Sequence, residues 1–184
     1  ALIATPVVKS LAFKVGAADV PKDNRRMHKK PTARLGGIAI FYGFIISILC
    51  FAEIDTSLRG ILIGCIIIVV LGIFDDIYNL NALFKFVIQI LAALIVVMHG
   101  VRIDHFSSFG IGNSPYIDLG MFAIPITVLW IVGVTNAVNL IDGLDGLAAG
   151  VSTISTVSLF AISLITRETG VAIVTAAVAG AGFG

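Results

Sequence analysis

Gly60-Ile61-Leu62-Ile63-Gly64-Cys65-Ile66-Ile67-Ile68-Val69-Val70-Leu71-Gly72-Ile73-Phe74-Asp75-Asp76 is an uncharged run closed by two adjacent carboxylates. Gly60 to Phe74 is apolar though short for a membrane span, and Asp75 and Asp76 end it. Ionised carboxylates at a membrane boundary are costly unless water, a cation or a metal compensates them. No basic residue is adjacent, the nearest being Lys85. The surroundings are equally apolar. Of 184 residues, 58% are hydrophobic and 12% charged, and mean hydropathy is +1.08. A soluble globular domain is about half apolar and about a quarter charged. The expected fold is therefore an all-α polytopic membrane protein, a single integral membrane domain over 1–184.

Working outward, the spans fall at about 1–13 (the end of a first span), 35–52, 60–74, 83–98, 121–138, 147–165 and 171–184 (a last, partial span). Lys85 lies near the start of its span, where it can snorkel to the interface. Alternation in Val101-Arg102-Ile103-Asp104 and in Tyr116-Ile117-Asp118-Leu119, around Gly110 to Pro115, predicts a small extracytoplasmic hairpin lying on the membrane. Cys50 and Cys65 sit inside apolar runs and read as small hydrophobic filler. The chain begins without Met and ends at Ala181-Gly182-Phe183-Gly184 in an apolar run, so it is expected to be a fragment with C-terminal spans missing.

Lysine and arginine in short loops set the orientation. The connection Lys22 to Arg34 carries Lys22, Arg25, Arg26, Lys29, Lys30 and Arg34, whereas the loops at Arg59, Arg102 and Arg167 carry one each. With the basic connection inside, alternate spans put Asp75-Asp76 and Asn139–Gly146 on that same cytoplasmic face. Glu53–Arg59, His99–Gly120 and Arg167 fall outside.

The acidic pair is the first candidate site. Neighbouring helix positions diverge by about 100°, so two such carboxylates can splay around one ligand. Mg²⁺ suits carboxylates that leave positions open for phosphate oxygens, and one of the two is a candidate base. Alone, an Asp-Asp at a span end also fits a solvated helix terminus.

The second is Asn136-Ala137-Val138-Asn139-Leu140-Ile141-Asp142-Gly143-Leu144-Asp145-Gly146. Asn136, Asn139, Asp142 and Asp145 recur at every third residue. On a regular α-helix such a row drifts by about 60° per step, so holding it together needs a tighter turn or a break. Gly143 and Gly146 permit either. Asn offers a donor and an acceptor, which can read a nucleobase edge, while Asp only accepts. A polar fray at a helix end would explain the polarity but not the threefold spacing.

In the basic connection, topology accounts for the charge but not for His28 followed by Pro31, Arg34 and Gly36-Gly37. A guanidinium beside two glycines at the start of a span suits phosphate oxygens. His99 and His105 lie in the outside loop and read as surface residues. One face thus offers acids for a metal, cations for phosphates and amides for a base, beside an apolar wall. A reaction between a nucleotide-activated donor and a lipid phosphate would use all four.

These residues resemble the bacterial polyprenyl-phosphate N-acetylhexosamine-1-phosphate transferases, closest to the branch initiating wall teichoic acid, enterobacterial common antigen or O-antigen of lipopolysaccharide. The matching stretches are Asp19-x-Pro21, Asn24-Arg25-Arg26-Met27-His28-x-x-Pro31, Arg34-Leu35-Gly36-Gly37, Leu71 to Asp76, and Trp130 to Gly150. They cover nearly the whole chain. The resemblance implies Mg²⁺-dependent transfer of GlcNAc-1-phosphate from UDP-GlcNAc to undecaprenyl phosphate with release of UMP, Mn²⁺ being a substitute metal. It makes Asp75 and Asp76 the pair tied to the metal and the lipid phosphate. Asp142 and Asp145 become the pair for catalysis and nucleotide placement, with Asn136, Asn139, His28 and Arg34 binding substrate. It implies a multi-pass protein of the bacterial cytoplasmic membrane with its site on the cytoplasmic face. The partners are a UDP-sugar, a polyprenyl phosphate and the membrane, not nucleic acid; a homodimer is one open arrangement.

Ala33 departs from a proline common in the family. Two further family loops, one with a Gly-Asp turn and one rich in histidine, do not occur in these residues, so the piece alone is expected to be inactive. The rival readings are the UDP-MurNAc-pentapeptide transferase of peptidoglycan synthesis, an intramembrane prenyltransferase and a transporter. Transport would place acids near mid-span, and here they cluster at span ends.

Overall fold

A computed structural model describes residues 1–15, 18–19, 32–33, 35–108, 115–143 and 146–184. Among them the chain forms seven α-helices: α1 (Ala4–Val15), α2 (Gly36–Phe51), α3 (Thr56–Tyr78), α4 (Ala82–Met98), α5 (Ala123–Ile141), α6 (Leu147–Thr166) and α7 (Thr169–Phe183). Two short antiparallel pairs complete it, β1 (Ala18–Asp19) with β2 (Thr32–Ala33), and β3 (His105–Ser107) with β4 (Tyr116–Asp118).

Among the described residues three helices are long and apolar enough to cross a membrane: α3, α6, and α5 with the 3-10 turn that precedes it. The 23 residues of α3 extend about 34 Å, against a hydrocarbon core of about 30 Å. Their outward faces are as apolar as their inner ones; Leu129, Leu140 and Ile165 are 73%, 83% and 81% exposed. A helix hydrophobic all round belongs in lipid. The chain is a polytopic helical membrane protein.

Its polar residues are fitted to that solvent. In α6 the hydroxyls of Thr153, Thr156, Ser158, Ser163 and Thr166 donate to carbonyls three or four residues back, at 2.7–3.3 Å. Each side chain thereby satisfies its own donor inside the helix. Helix ends are closed locally. Asp55 Oδ1 accepts from Leu58 N at 2.7 Å at the start of α3, and Asn81 Oδ1 accepts from Leu83 N at 2.9 Å at the start of α4.

The helices fall into two compact units. The first holds Ala1–Glu53, Val69–Leu80 and Asp142–Gly184. Its buried cluster is Val8 and Ala12 of α1 with Leu35 and Ala39 beside them, and Ile73 and Ile77 of α3 pack on it. There α6 and α7 run together so closely that a Cβ on Gly182 would overlap the Thr153 hydroxyl. Arg167 at φ 60 turns the chain between them.

The second unit holds Ile54–Ile68 and Asn81–Ile141. Here Gly60 and Gly64 let α3 approach α4: a Cβ on Gly60 would overlap the His99 side chain, and one on Gly64 would lie 2.7 Å from Val96 Cγ2. This is the small-xxx-small contact by which helices associate in lipid. His99 is therefore half-buried against α3, where the sequence suggested a surface residue, and its Nδ1 lies 2.7 Å from the Ile95 carbonyl oxygen. The hairpin forms, with its first strand at 105–107 rather than 101–104. Residues 101–104 are held otherwise: Thr127 Oγ1 accepts from Ile103 N at 2.8 Å, and Arg102 Nε meets Asp104 Oδ1 at 2.8 Å.

Candidate active site

Asp75 and Asp76 do not follow α3; they sit in its last turns, the helix running on to Tyr78. Asn79 at φ 50 ends it, its N–H donating to the Asp75 carbonyl at 2.8 Å. The Asp75 side chain joins this cap, its Oδ1 accepting from Leu80 N at 2.9 Å. Both acids are half-buried. Ile73 and Ile77, one turn apart, mark the face packed on the α1–α2 cluster. By the 100° step, Asp76 flanks that face and Asp75 lies on the opposite side. The cluster joins Ala12, near the end of α1, with Leu35 and Ala39, at the start of α2. The acidic turn therefore lies at the end of this unit where the basic connection between α1 and α2 is attached.

Two carboxylates at a helix C-terminus stand against the negative end of the macrodipole. That placement raises the need for a cation, and Mg²⁺ is bound by one or two carboxylates completed by phosphates and water. Asp75 and Asp76 fit such a donor set. Among the described residues no group of three or more His, Cys, Asp or Glu able to hold a metal forms.

In the second stretch, α5 stays a regular helix through Asn136 and Asn139 and ends at Ile141. Of the two ways to place the threefold row, the described residues take the break. Asp142 is exposed in the turn just past the helix, and Gly146 adopts φ +77 before α6 begins. That left-handed conformation is strained for any residue with a Cβ. Asn139 is exposed, while Asn136 is half-buried and turned to α4. Its Nδ2 donates to Gln89 Oε1 at 2.7 Å and to the Val132 carbonyl at 2.8 Å. His28, Arg34 and Asp145 lie outside the described residues.

Gln89 is the residue that sequence reasoning missed. It is buried, and it is the one uncharged polar side chain in the run from Leu83 to Met98. That isolation was the available signal, since a lone amide inside a span needs a partner.

Residues 58–184, which include the acidic turn of α3 and the whole Asn/Asp stretch, match the family model described as glycosyl transferase family 4. The chain belongs to that family. A Bacillus subtilis (strain 168) protein named "Probable undecaprenyl-phosphate N-acetylglucosaminyl 1-phosphate transferase" is 48% identical to it over 141 residues. The match takes in 74% of this chain and 37% of that protein. Decaprenyl-phosphate N-acetylglucosaminephosphotransferases of Mycobacterium tuberculosis (strain ATCC 25618 / H37Rv) and Mycolicibacterium smegmatis (strain ATCC 700084 / mc(2)155) are 35% and 34% identical over 107 residues, 53% of this chain and 26% of each relative. The chain thus spans between about a quarter and little more than a third of the length of these relatives.

Proposed function

We propose that the protein transfers GlcNAc-1-phosphate from UDP-GlcNAc to undecaprenyl phosphate, releasing UMP, as the first membrane step of a cell-envelope polysaccharide. The observation that carries this reading is the 48% identity to the Bacillus subtilis protein of that name. The two acidic stretches fall inside the family match, and their chemistry suits the reaction.

In this reading a lipid phosphate oxygen attacks the β-phosphorus of the donor. A new oxygen–phosphorus bond forms, the bond to the bridging oxygen breaks, and UMP leaves. Asp75 and Asp76 would hold Mg²⁺, and the ion when bound would supply neutralisation of phosphate charge. One acid of the pair would take the proton of a protonated acceptor. Asp142 and Asp145 orient the donor just past the end of α5, with Asn136 and Asn139 on the preceding turns. Arg34 and His28 meet phosphate oxygens from the basic connection. The surrounding apolar helix faces accommodate the polyprenyl tail. The site lies on the cytoplasmic face of a bacterial inner membrane, the side favoured by six basic residues between Lys22 and Arg34.

The test is UMP release from UDP-GlcNAc in membranes carrying the full-length protein and supplied with undecaprenyl phosphate. Release that disappears in Asp76→Asn and Asp142→Asn supports the reading. Full release in both variants would overturn the site, and no release from the unaltered protein would overturn the reaction.

A further inference from the structure

Gln89 and Asn136 bring two carboxamides together between α4 and α5, within one compact unit. Gln89 lies about 10 Å along α4 from Ala82, and Asn136 about 8 Å before the end of α5, at 1.5 Å per residue. Both are set inside apolar helices, where an amide without a partner is expensive.

The geometry fixes which way the Asn136 amide points. An amide side chain can be turned end for end, and its partners decide the assignment. The Val132 carbonyl can only accept, so the nitrogen of Asn136 must face it, at 2.8 Å. The same nitrogen lies 2.7 Å from Gln89 Oε1, which must then be the oxygen, because two amide nitrogens would repel. Both N–H groups of Asn136 are consumed. What remains is Oδ1, an acceptor.

We infer that Gln89 is a positioning residue: its Oε1 holds the Asn136 carboxamide so that this side chain meets the sugar-nucleotide donor as a hydrogen-bond acceptor only. Asn136 then reads an O–H or N–H of the donor and cannot serve a carbonyl or phosphate oxygen. This rests on the proposed reaction and adds the polarity of one of its contacts. Gln89 itself need not touch the substrate.

The experiment uses the full-length protein in membranes and measures KM for UDP-GlcNAc and kcat of UMP release separately. Gln89→Leu frees one Asn136 N–H and lets the amide rotate; KM rises about tenfold, the scale of one misdirected hydrogen bond, with kcat changed less. Gln89→Glu keeps an acceptor oxygen and recovers most of that loss. In an Asn136→Ala background, Gln89→Leu has no further effect on KM, because the group it orients is gone. Thermal unfolding in detergent is followed for each variant, since a purely structural role lowers stability without moving KM. Unchanged KM in Gln89→Leu, equal losses with Leu and Glu, or additive losses with Asn136→Ala would each overturn the assignment while the unaltered protein still turns over. Failure of the unaltered protein to release UMP would instead overturn the reaction, and this inference with it.

Discussion

Asp75 Oδ1 accepts a hydrogen bond from the Leu80 backbone N–H at 2.9 Å, so a proposed metal-holding carboxylate also closes the helix that carries it. The two roles separate by substitution. Asp75→Asn keeps an acceptor oxygen and loses the charge; Asp75→Ala loses both. Asp75→Ala is expected to cost about 1–2 kcal/mol of stability and Asp75→Asn under about 0.5 kcal/mol. Both should lower UMP release about 100-fold or more. Thermal unfolding in detergent beside turnover in membranes checks the split.

The contact of Gly182 with Thr153 makes a packing prediction independent of catalysis. Gly182→Val forces α6 and α7 apart and should destabilise the protein by about 1–3 kcal/mol. Adding Thr153→Ala removes the hydroxyl in the way and should recover part of the loss, since touching residues couple. Unfolding of the two single variants and the double variant reads this directly.

If Asp75 and Asp76 hold Mg²⁺, chelation of divalent metal should abolish UMP release and added Mg²⁺ should restore it. Asp76→Glu, which keeps the charge but displaces it, should raise the Mg²⁺ concentration for half-maximal rate about tenfold, a usual effect of disturbing a metal's surroundings. Turnover that persists in excess chelator would exclude the metal role.

Sidedness is open to labelling. In a protein with Cys50→Ala and Cys65→Ala, single cysteines introduced by Asp76→Cys and Asp142→Cys should react with a membrane-impermeant thiol reagent only in inside-out vesicles. Asp118→Cys, in the hairpin, should react only in right-side-out cells. Asp76 and Asp142 labelling from opposite sides would defeat a shared site.

The membrane class was legible from the sequence because in lipid every backbone group must be satisfied internally, so a long apolar run is a helix. Exposure cannot be read from such runs in the usual way, since outward faces are as apolar as inward ones. His99, at the start of the outside loop, reads as a surface residue until Gly60 is seen to leave room for it. The acidic residues stood out for the same reason, as polar groups in a hydrocarbon-compatible chain. Gln89 did not, because its meaning lies in a partner 47 residues away. The hairpin's first strand was placed too early because 101–104 alternate without lying in the ladder: only the Asp104 carbonyl reaches across, accepting from Leu119 N at 2.9 Å, while the Arg102 and Asp104 side chains pair with one another.

The hairpin has two unlike sides. Phe106 stands opposite Ile117 on one, and His105 opposite Asp118 on the other, with Met121 and Phe122 leading directly into α5. Sinking it would drag Asp118 into hydrocarbon, and lifting it would strand four large apolar side chains in water. A hairpin of this make-up would hold α5 at one depth, as a float sets a draught. Asn136 lies about 20 Å along that helix from its start, so a change in the hairpin's depth would carry this amide with it.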